Sequence, residues 1–304
     1  GMKLDHFVES QQLDKQTIFS LFKKADELER FNEKILSKKI LATLFYEPST
    51  RTRLSFESAM IKLGGNVIST ENAKEFSSAV KGESLEDTIR IVSSYVDVIV
   101  IRHFEEGAAR IASSVSSVPV INGGDGSGQH PTQALLDVYT VYKEIGRLDS
   151  LTVVIVGDLK HGRTIRSLCY LLGKFENINI IFVAPKHLLI KDDIKEYLRR
   201  HNVKFEEQTE LDKYLPKADI VYMTRIQKER MSDEEYQNAK DVYSITDENL
   251  KLLNKHARLL HPLPHVEEIK LSLKTEQEDE RVAYFRQAKN GLYIRMALLS
   301  YLLE

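Results

Sequence analysis

The sequence is poor in the features that mark several large protein classes. It holds one cysteine, Cys169, among 304 residues. A lone thiol excludes an intrachain disulfide and fits a reducing, cytoplasmic compartment. No apolar run approaches the roughly 18 residues that a membrane span needs. The stretch Met2–His6 lacks the apolar core of a signal peptide, and Gly1 ahead of it reads as an expression-tag remnant. A basic excess is also missing: 43 Lys and Arg stand against 45 Asp and Glu, a net charge of −2. That balance argues against a nucleic-acid partner. There is no repeat of fixed period and no low-complexity segment. The glycines at 123–128 are not followed by the Gly-Lys-Ser/Thr ending of a P-loop. Gly157 and Gly162 lack the spacing of a dinucleotide fingerprint. The expectation is a soluble cytoplasmic protein that acts on small molecules.

What is present is an alternation. Apolar runs at Leu41–Tyr46, Val96–Ile101, Val118–Ile121, Leu151–Val156, Ile178–Val183, Ile220–Met223 and Leu259–Leu260 are separated by helical patterns. This predicts an α/β fold with parallel β-sheets flanked by helices. A chain of this length exceeds one ordinary core, so two domains are expected. A helix beginning at Pro131 runs out near Tyr142–Asp149, which places a boundary there. Cys169 lies beside Leu168 and Leu171 in a helical pattern and reads as core, not as a nucleophile.

Polar residues follow the apolar runs repeatedly, which predicts one functional edge in each domain. After Tyr46 comes Ser49-Thr50-Arg51-Thr52-Arg53, and then a helix with Phe56, Ala59, Met60 and Leu63 on one face. A helix N-terminus offers free N–H groups to an anion, and arginine adds a planar fork for phosphate or carboxylate oxygens. The plainer alternative is a Ser/Thr cap with solvated arginines. Arg102-His103 ends another run, as a second anion ligand or a solvated strand end. His130 and Gln133 stand at the start of the Pro131 helix. The dipole there disfavours imidazolium, and a neutral ring can donate to a carbonyl oxygen. Arg163 follows Gly157–Gly162 at another helix start. Arg225 and Gln227 are two apart, so an extended backbone turns both to one side. In His261-Pro262-Leu263-Pro264-His265 the prolines forbid a helix, so the two histidines lack the helical spacing that binds metal and no metal site is expected. Glu75–Ser84, with Ser77 and Lys81, reads by itself as an ordinary exposed loop.

Together, and in this order, these segments resemble the aspartate carbamoyltransferases, catalytic chains that join carbamoyl phosphate to L-aspartate in pyrimidine biosynthesis. The resemblance implies a carbamoyl-phosphate domain over residues 2–142 plus 284–304 and an aspartate domain over 150–283. The C-terminal helix would return to the first domain. It implies a homotrimer with shared active sites and no cofactor. Ser49, Thr50, Arg51, Thr52 and Arg102 would hold the phosphate. Arg51, Thr52, Arg102 and His130 would surround the carbonyl oxygen, and Gln133 the carbamoyl amide. The carbonyls of Leu263 and Pro264 would meet the carbamoyl amino group. Arg163, Arg225 and Gln227 would bind aspartate. Ser77 and Lys81 would come from the neighbouring subunit. Regulatory chains join some members of the family, and any zinc or nucleotide site would then lie on that partner. One position departs from the pattern: the string usually ends in Arg, and here it ends in His265. Ornithine carbamoyltransferases share the phosphate motif but carry Cys where this chain has Pro262. A silent scaffold of the same fold would be expected to lose Arg51, Lys81, Arg102 or His130, and all four are present.

Overall fold

The computed structural model describes residues 3–70, 81–126 and 128–304. The chain forms two units, Gly1–Leu136 with Lys289–Glu304, and Asp137–Ala288. The divisions fall inside two helices, Pro131–Ile145 and Tyr284–Leu303. Among the described residues, no helix is long and apolar enough to cross a membrane.

The first unit is built on four parallel strands: β1 (Ile40–Phe45), β2 (Asn66–Thr70), β3 (Val98–His103) and β4 (Val120–Asp125). Their order is β2-β1-β3-β4. Strands β1 and β3 are buried almost throughout, as expected of central strands covered on both faces. The helices are α1 (Lys15–Arg30), α2 (Thr50–Lys62), α3 (Leu85–Val92) and α4 (Ala108–Val115). To these the unit adds the first residues of α5 (Pro131–Ile145) and the end of the C-terminal helix. Helix α2 buries Phe56, Ala59 and Met60, the face expected from their spacing.

Two features of this sheet differ from the sequence expectation. Strand β2 is an edge strand, mostly exposed and rich in Asn, Ser and Thr, so no apolar run marks it. Strand β4 continues through Gly123 and Gly124, beyond the apolar run that ends at Ile121. At Gly123 a Cβ would stand 3.2 Å from Ile101 O and from Val100 Cγ1. The bare backbone there lets β4 close on β3.

The second unit carries β5 (Thr152–Val156), β6 (Asn179–Val183), β7 (Lys204–Gln208), β8 (Ile220–Met223) and β10 (Arg258–Leu260), all parallel, in the order β10-β8-β5-β6-β7. Two-residue strands β9 (Ile245–Thr246) and β11 (Ile269–Lys270) pair beside it. Helices α6 (Arg163–Leu172), α7 (Asp192–Arg200), α8 (Asp233–Val242) and α9 (Leu273–Glu278) surround the sheet, and α10 (Tyr284–Leu303) begins in this unit. Strand β7, with sequence Lys-Phe-Glu-Glu-Gln, is again an edge. Its charges hid it from an apolar-run reading and also guard the edge against further pairing.

Cys169 on α6 is fully buried, and burial pushes its thiol up to about 12. A thiolate-specific reagent should leave the native protein unlabelled at pH 8 and modify one site per chain after unfolding. Stoichiometric labelling of folded protein within minutes would contradict that burial.

Candidate active site

Both large sheets reverse their strand order once. In the first, the chain moves from β1 out to β2, then crosses to β3 on the other side of β1. In the second, it runs from β5 through β6 to β7 and returns to β8 beside β5. Outside the carboxyl ends of strands at such a reversal lies a crevice suited to ligands. Ser49–Arg53 follows β1, and Arg102 lies near the end of β3. Gly157–Arg163 follows β5, and Thr224–Gln227 follows β8. The sequence-derived candidates thus leave the sheets at the two places where topology opens a crevice.

In the first unit, Phe45 pairs with Arg102 across β1 and β3, and the Tyr46 N–H donates to Arg102 O at 2.8 Å. The Arg102 guanidinium donates to Gly123 O at 3.3 Å and stands 3.6 Å from Glu47 Oε2. Ser49 is the N-cap of α2, with extended backbone and no capping bond from its hydroxyl to the helix. Thr50 and Arg51 are exposed, and Thr52 is buried. Partial burial of the Arg51 guanidinium lowers its pKa from the usual arginine range. His130 is buried directly ahead of α5, and its carbonyl accepts the Ala134 N–H at 3.2 Å. Its Nε2 lies 3.5 Å from Thr52 Oγ1. The first turns of α2 and α5 therefore meet, and buried Gln133 stands on the same turn of α5. Two helix N-termini, an imidazole and a hydroxyl converge there, next to an exposed arginine. That set suits an anion bearing a carbonyl. Arg53 instead donates to Ser69 Oγ at 3.0 Å and stands 3.7 Å from Glu57 Oε1, which ties α2 to β2.

The sequence reading missed a residue that fixes this convergence. Arg295 on α10 is 4% exposed. It donates to Ser55 Oγ at 2.9 Å and to Thr132 Oγ1 at 3.3 Å, and its guanidinium lies 5.1 Å from the Phe56 ring centre. One side chain thus binds both helix starts. Its only signal in the sequence is a basic residue inside the apolar stretch Ile294–Leu299.

In the second unit, Gly157 leaves β5 and Asp158 is buried to 1% exposure. Its Oδ1 accepts the N–H groups of Lys160 and His161, and its carboxylate also meets His161 Nδ1 at 3.0 Å. This shapes the turn that delivers half-buried Arg163 to the start of α6. Across the sheet, Thr224 is fixed to Val156 O through both its N–H and its hydroxyl. Beyond it, Ile226 is buried, Arg225 is exposed and Gln227 is half-buried. That alternation puts the two polar side chains on one side, as the spacing predicted. Arg225 lies 3.2 Å from Glu229 Oε1.

After β10, Leu263 has φ +60 and precedes Pro264 through a cis peptide. His261 and His265 turn to different carboxylates, Glu268 at 2.7 Å and Glu276 at 3.0 Å. His265, standing where the family pattern has arginine, therefore keeps an acidic partner. Its ring centre lies 5.2 Å from that of Tyr284, edge to face. Lys81 is exposed just ahead of α3, and Ser77 lies outside the described residues.

Two family models match the chain in succession. Residues 5–143 match the family described as aspartate/ornithine carbamoyltransferase, carbamoyl-P binding domain, and residues 149–302 match its Asp/Orn binding domain. Aspartate carbamoyltransferase 1, chloroplastic, of Pisum sativum is 54% identical over 99% of this chain and 79% of its own length. The aspartate carbamoyltransferase catalytic subunit of Methanocaldococcus jannaschii is 48% identical over 99% of this chain and 98% of its own. A crystal structure of the M. jannaschii catalytic subunit superposes with TM-score 0.91 at 47% identity, covering 99% and 98% of the two chains. Aspartate transcarbamoylase of Trypanosoma cruzi, in complex with N-(phosphonacetyl)-L-aspartic acid, superposes with TM-score 0.91 at 36% identity, covering 99% and 97%. The chain belongs to the aspartate/ornithine carbamoyltransferase family.

Proposed function

We propose that this protein transfers the carbamoyl group of carbamoyl phosphate to the amino group of L-aspartate, giving N-carbamoyl-L-aspartate and phosphate in pyrimidine biosynthesis. The observation that carries this reading is near full-length likeness, at about half identity, to proteins named aspartate carbamoyltransferase. A T. cruzi relative has been crystallised with carbamoyl phosphate and aspartate together.

In this reading Ser49, Thr50, Arg51, Thr52 and Arg102 hold the phosphate, supported by the position of α2 and Arg102 at one strand reversal. Aspartate's uncharged amine attacks the carbamoyl carbon, and negative charge develops on the carbonyl oxygen. Arg51, Thr52, Arg102 and His130 are the donors for that charge. Gln133 takes the carbamoyl amide, and the Leu263 and Pro264 carbonyls accept from its N–H groups. Arg163, Arg225 and Gln227 bind aspartate's carboxylates, with Leu263 beside them. Phosphate leaves as an anion already paired with arginines and can carry away the amine proton. Positioning and electrostatics do the work, without a protein nucleophile.

The working assembly is a cytoplasmic homotrimer in which Ser77 and Lys81 serve the neighbouring subunit's site. Exposed Leu54, Ile61, Ile68, Ile91, Tyr95 and Ile111 on the first unit support association of copies. The deciding assay offers aspartate, ornithine and acetylated ornithine side by side as acceptors. Aspartate should be the substrate, and faster transfer to ornithine would overturn the reading. The shared site has its own check. Mixing inactive Lys81→Ala and Arg51→Ala trimers under subunit exchange should restore part of the activity. Verified hybrids with none would exclude a shared site.

A further inference from the structure

The strap after β10 hangs from a buried polar chain within the second unit. The His261 N–H donates to Gln287 Oε1 at 2.9 Å. Gln287 Nε2 donates to Asp137 Oδ1 at 2.7 Å, and the Tyr222 hydroxyl donates to Asp137 Oδ2 at 2.6 Å. Tyr222, Asp137, Gln287, His261 and Glu268 are all at least 96% buried. Buried networks of this kind are stable only when every member is satisfied.

The imidazole of His261 is the last link. The Leu263 N–H donates to its Nδ1 at 2.7 Å, and its Nε2 lies 2.7 Å from Glu268 Oε1. A ring nitrogen that accepts carries no proton, so the ring is neutral and Nε2–H donates to Glu268. The same Oε1 accepts the Val266 N–H at 3.1 Å. Glu268 thereby spans both ends of the strap, and His261 grips its middle. That middle is Leu263 at φ +60, a conformation uncommon for a side chain of this size and kept only where the surroundings impose it.

We propose that His261 and Glu268 are positioning residues for carbamoyl transfer: the carboxylate fixes the Nε2–H form of the ring, and Nδ1 anchors Leu263 so that the Leu263 and Pro264 carbonyls meet the carbamoyl amino group. What the carbonyls meet rests on the carbamoyl-transfer reading. The grip itself rests on the bonds above.

Two measurements test it. In protein labelled with ¹⁵N-histidine, the ring signal that is present in wild type and absent in His261→Gln should carry the Nε2–H signature at neutral pH. A protonated or Nδ1–H ring would overturn the proposal, and this result needs no folded Glu268 variant. In kinetics, Glu268→Leu should lower kcat more than about 10-fold, the scale for displacing a positioned group. Its Kd for inorganic phosphate should stay within threefold of wild type. Glu268→Gln, which keeps an acceptor, should recover most of kcat. A Glu268→Leu kcat within twofold of wild type would overturn the proposal. A wild-type protein without carbamoyl transfer would instead defeat the functional reading, and the positioning role with it.

Discussion

Arg51→Ala is expected to lower carbamoyl-transfer turnover by about 10² to 10³-fold, the effect of removing one donor aimed at a developing oxyanion. In the proposed reaction Arg51 has two tasks, holding the phosphate and meeting the carbonyl oxygen, so both kcat and the KM for carbamoyl phosphate should worsen. The side chain is exposed at the first turn of α2, and stability should stay within about 0.5 kcal/mol of wild type. That separates chemistry from folding. Arg53→Ala is the matched control. It removes the tie to Ser69 and Glu57 and should change turnover less than about 10-fold, because Arg53 has no donor role in the mechanism. Near-normal turnover in Arg51→Ala, or an equal loss in both variants, would sink the assignment.

The second large effect is on folding. Gly157 leaves β5 at φ +134, where L side chains are rarely found. A Cβ there would stand 2.0 Å from Thr224 Oγ1 and 2.8 Å from Thr224 O. Thr224 cannot step aside easily, because its N–H and its hydroxyl both bond to Val156 O, at 2.8 and 2.7 Å. A methyl group must therefore part β5 from β8 at their carboxyl ends. Backbone strain and overpacking each cost about 1–3 kcal/mol, so Gly157→Ala should lose about 4 kcal/mol in chemical denaturation. Asp158, the next residue, shapes the turn before Arg163, so the surviving folded fraction should also show a raised KM for aspartate. A loss under about 1 kcal/mol would mean that the two strands yield more easily than their hydrogen bonds suggest.

Central strands were legible in the sequence because burial on both faces demands an unbroken apolar run. Strands β1, β3, β5, β6 and β8 all announced themselves in this way. The edges did not. Strand β2 reads Asn-Val-Ile-Ser-Thr and β7 reads Lys-Phe-Glu-Glu-Gln, since one side of each meets water. The place of Ser49–Arg53 at a strand-to-helix turn was legible because its signals are local: small hydroxyls and arginines at a helix start. The supports were not, because their partners are far away in the chain. Asp137 and Gln287 are 150 residues apart, and neither carries a periodic or compositional signal. Glu268 is likewise an ordinary acidic residue until His261 is placed 2.7 Å from it.

The tie made by Arg295 bears on how the protein is made. Ser55 and Arg295 are 240 residues apart, so a chain emerging from the ribosome has α2 and its loop long before it has their clamp. Domains commonly fold in order of synthesis, but the first unit here is incomplete until α10 is translated. The nascent chain thus carries its first helix starts unlocked, and they acquire their final geometry only once α10 has been made.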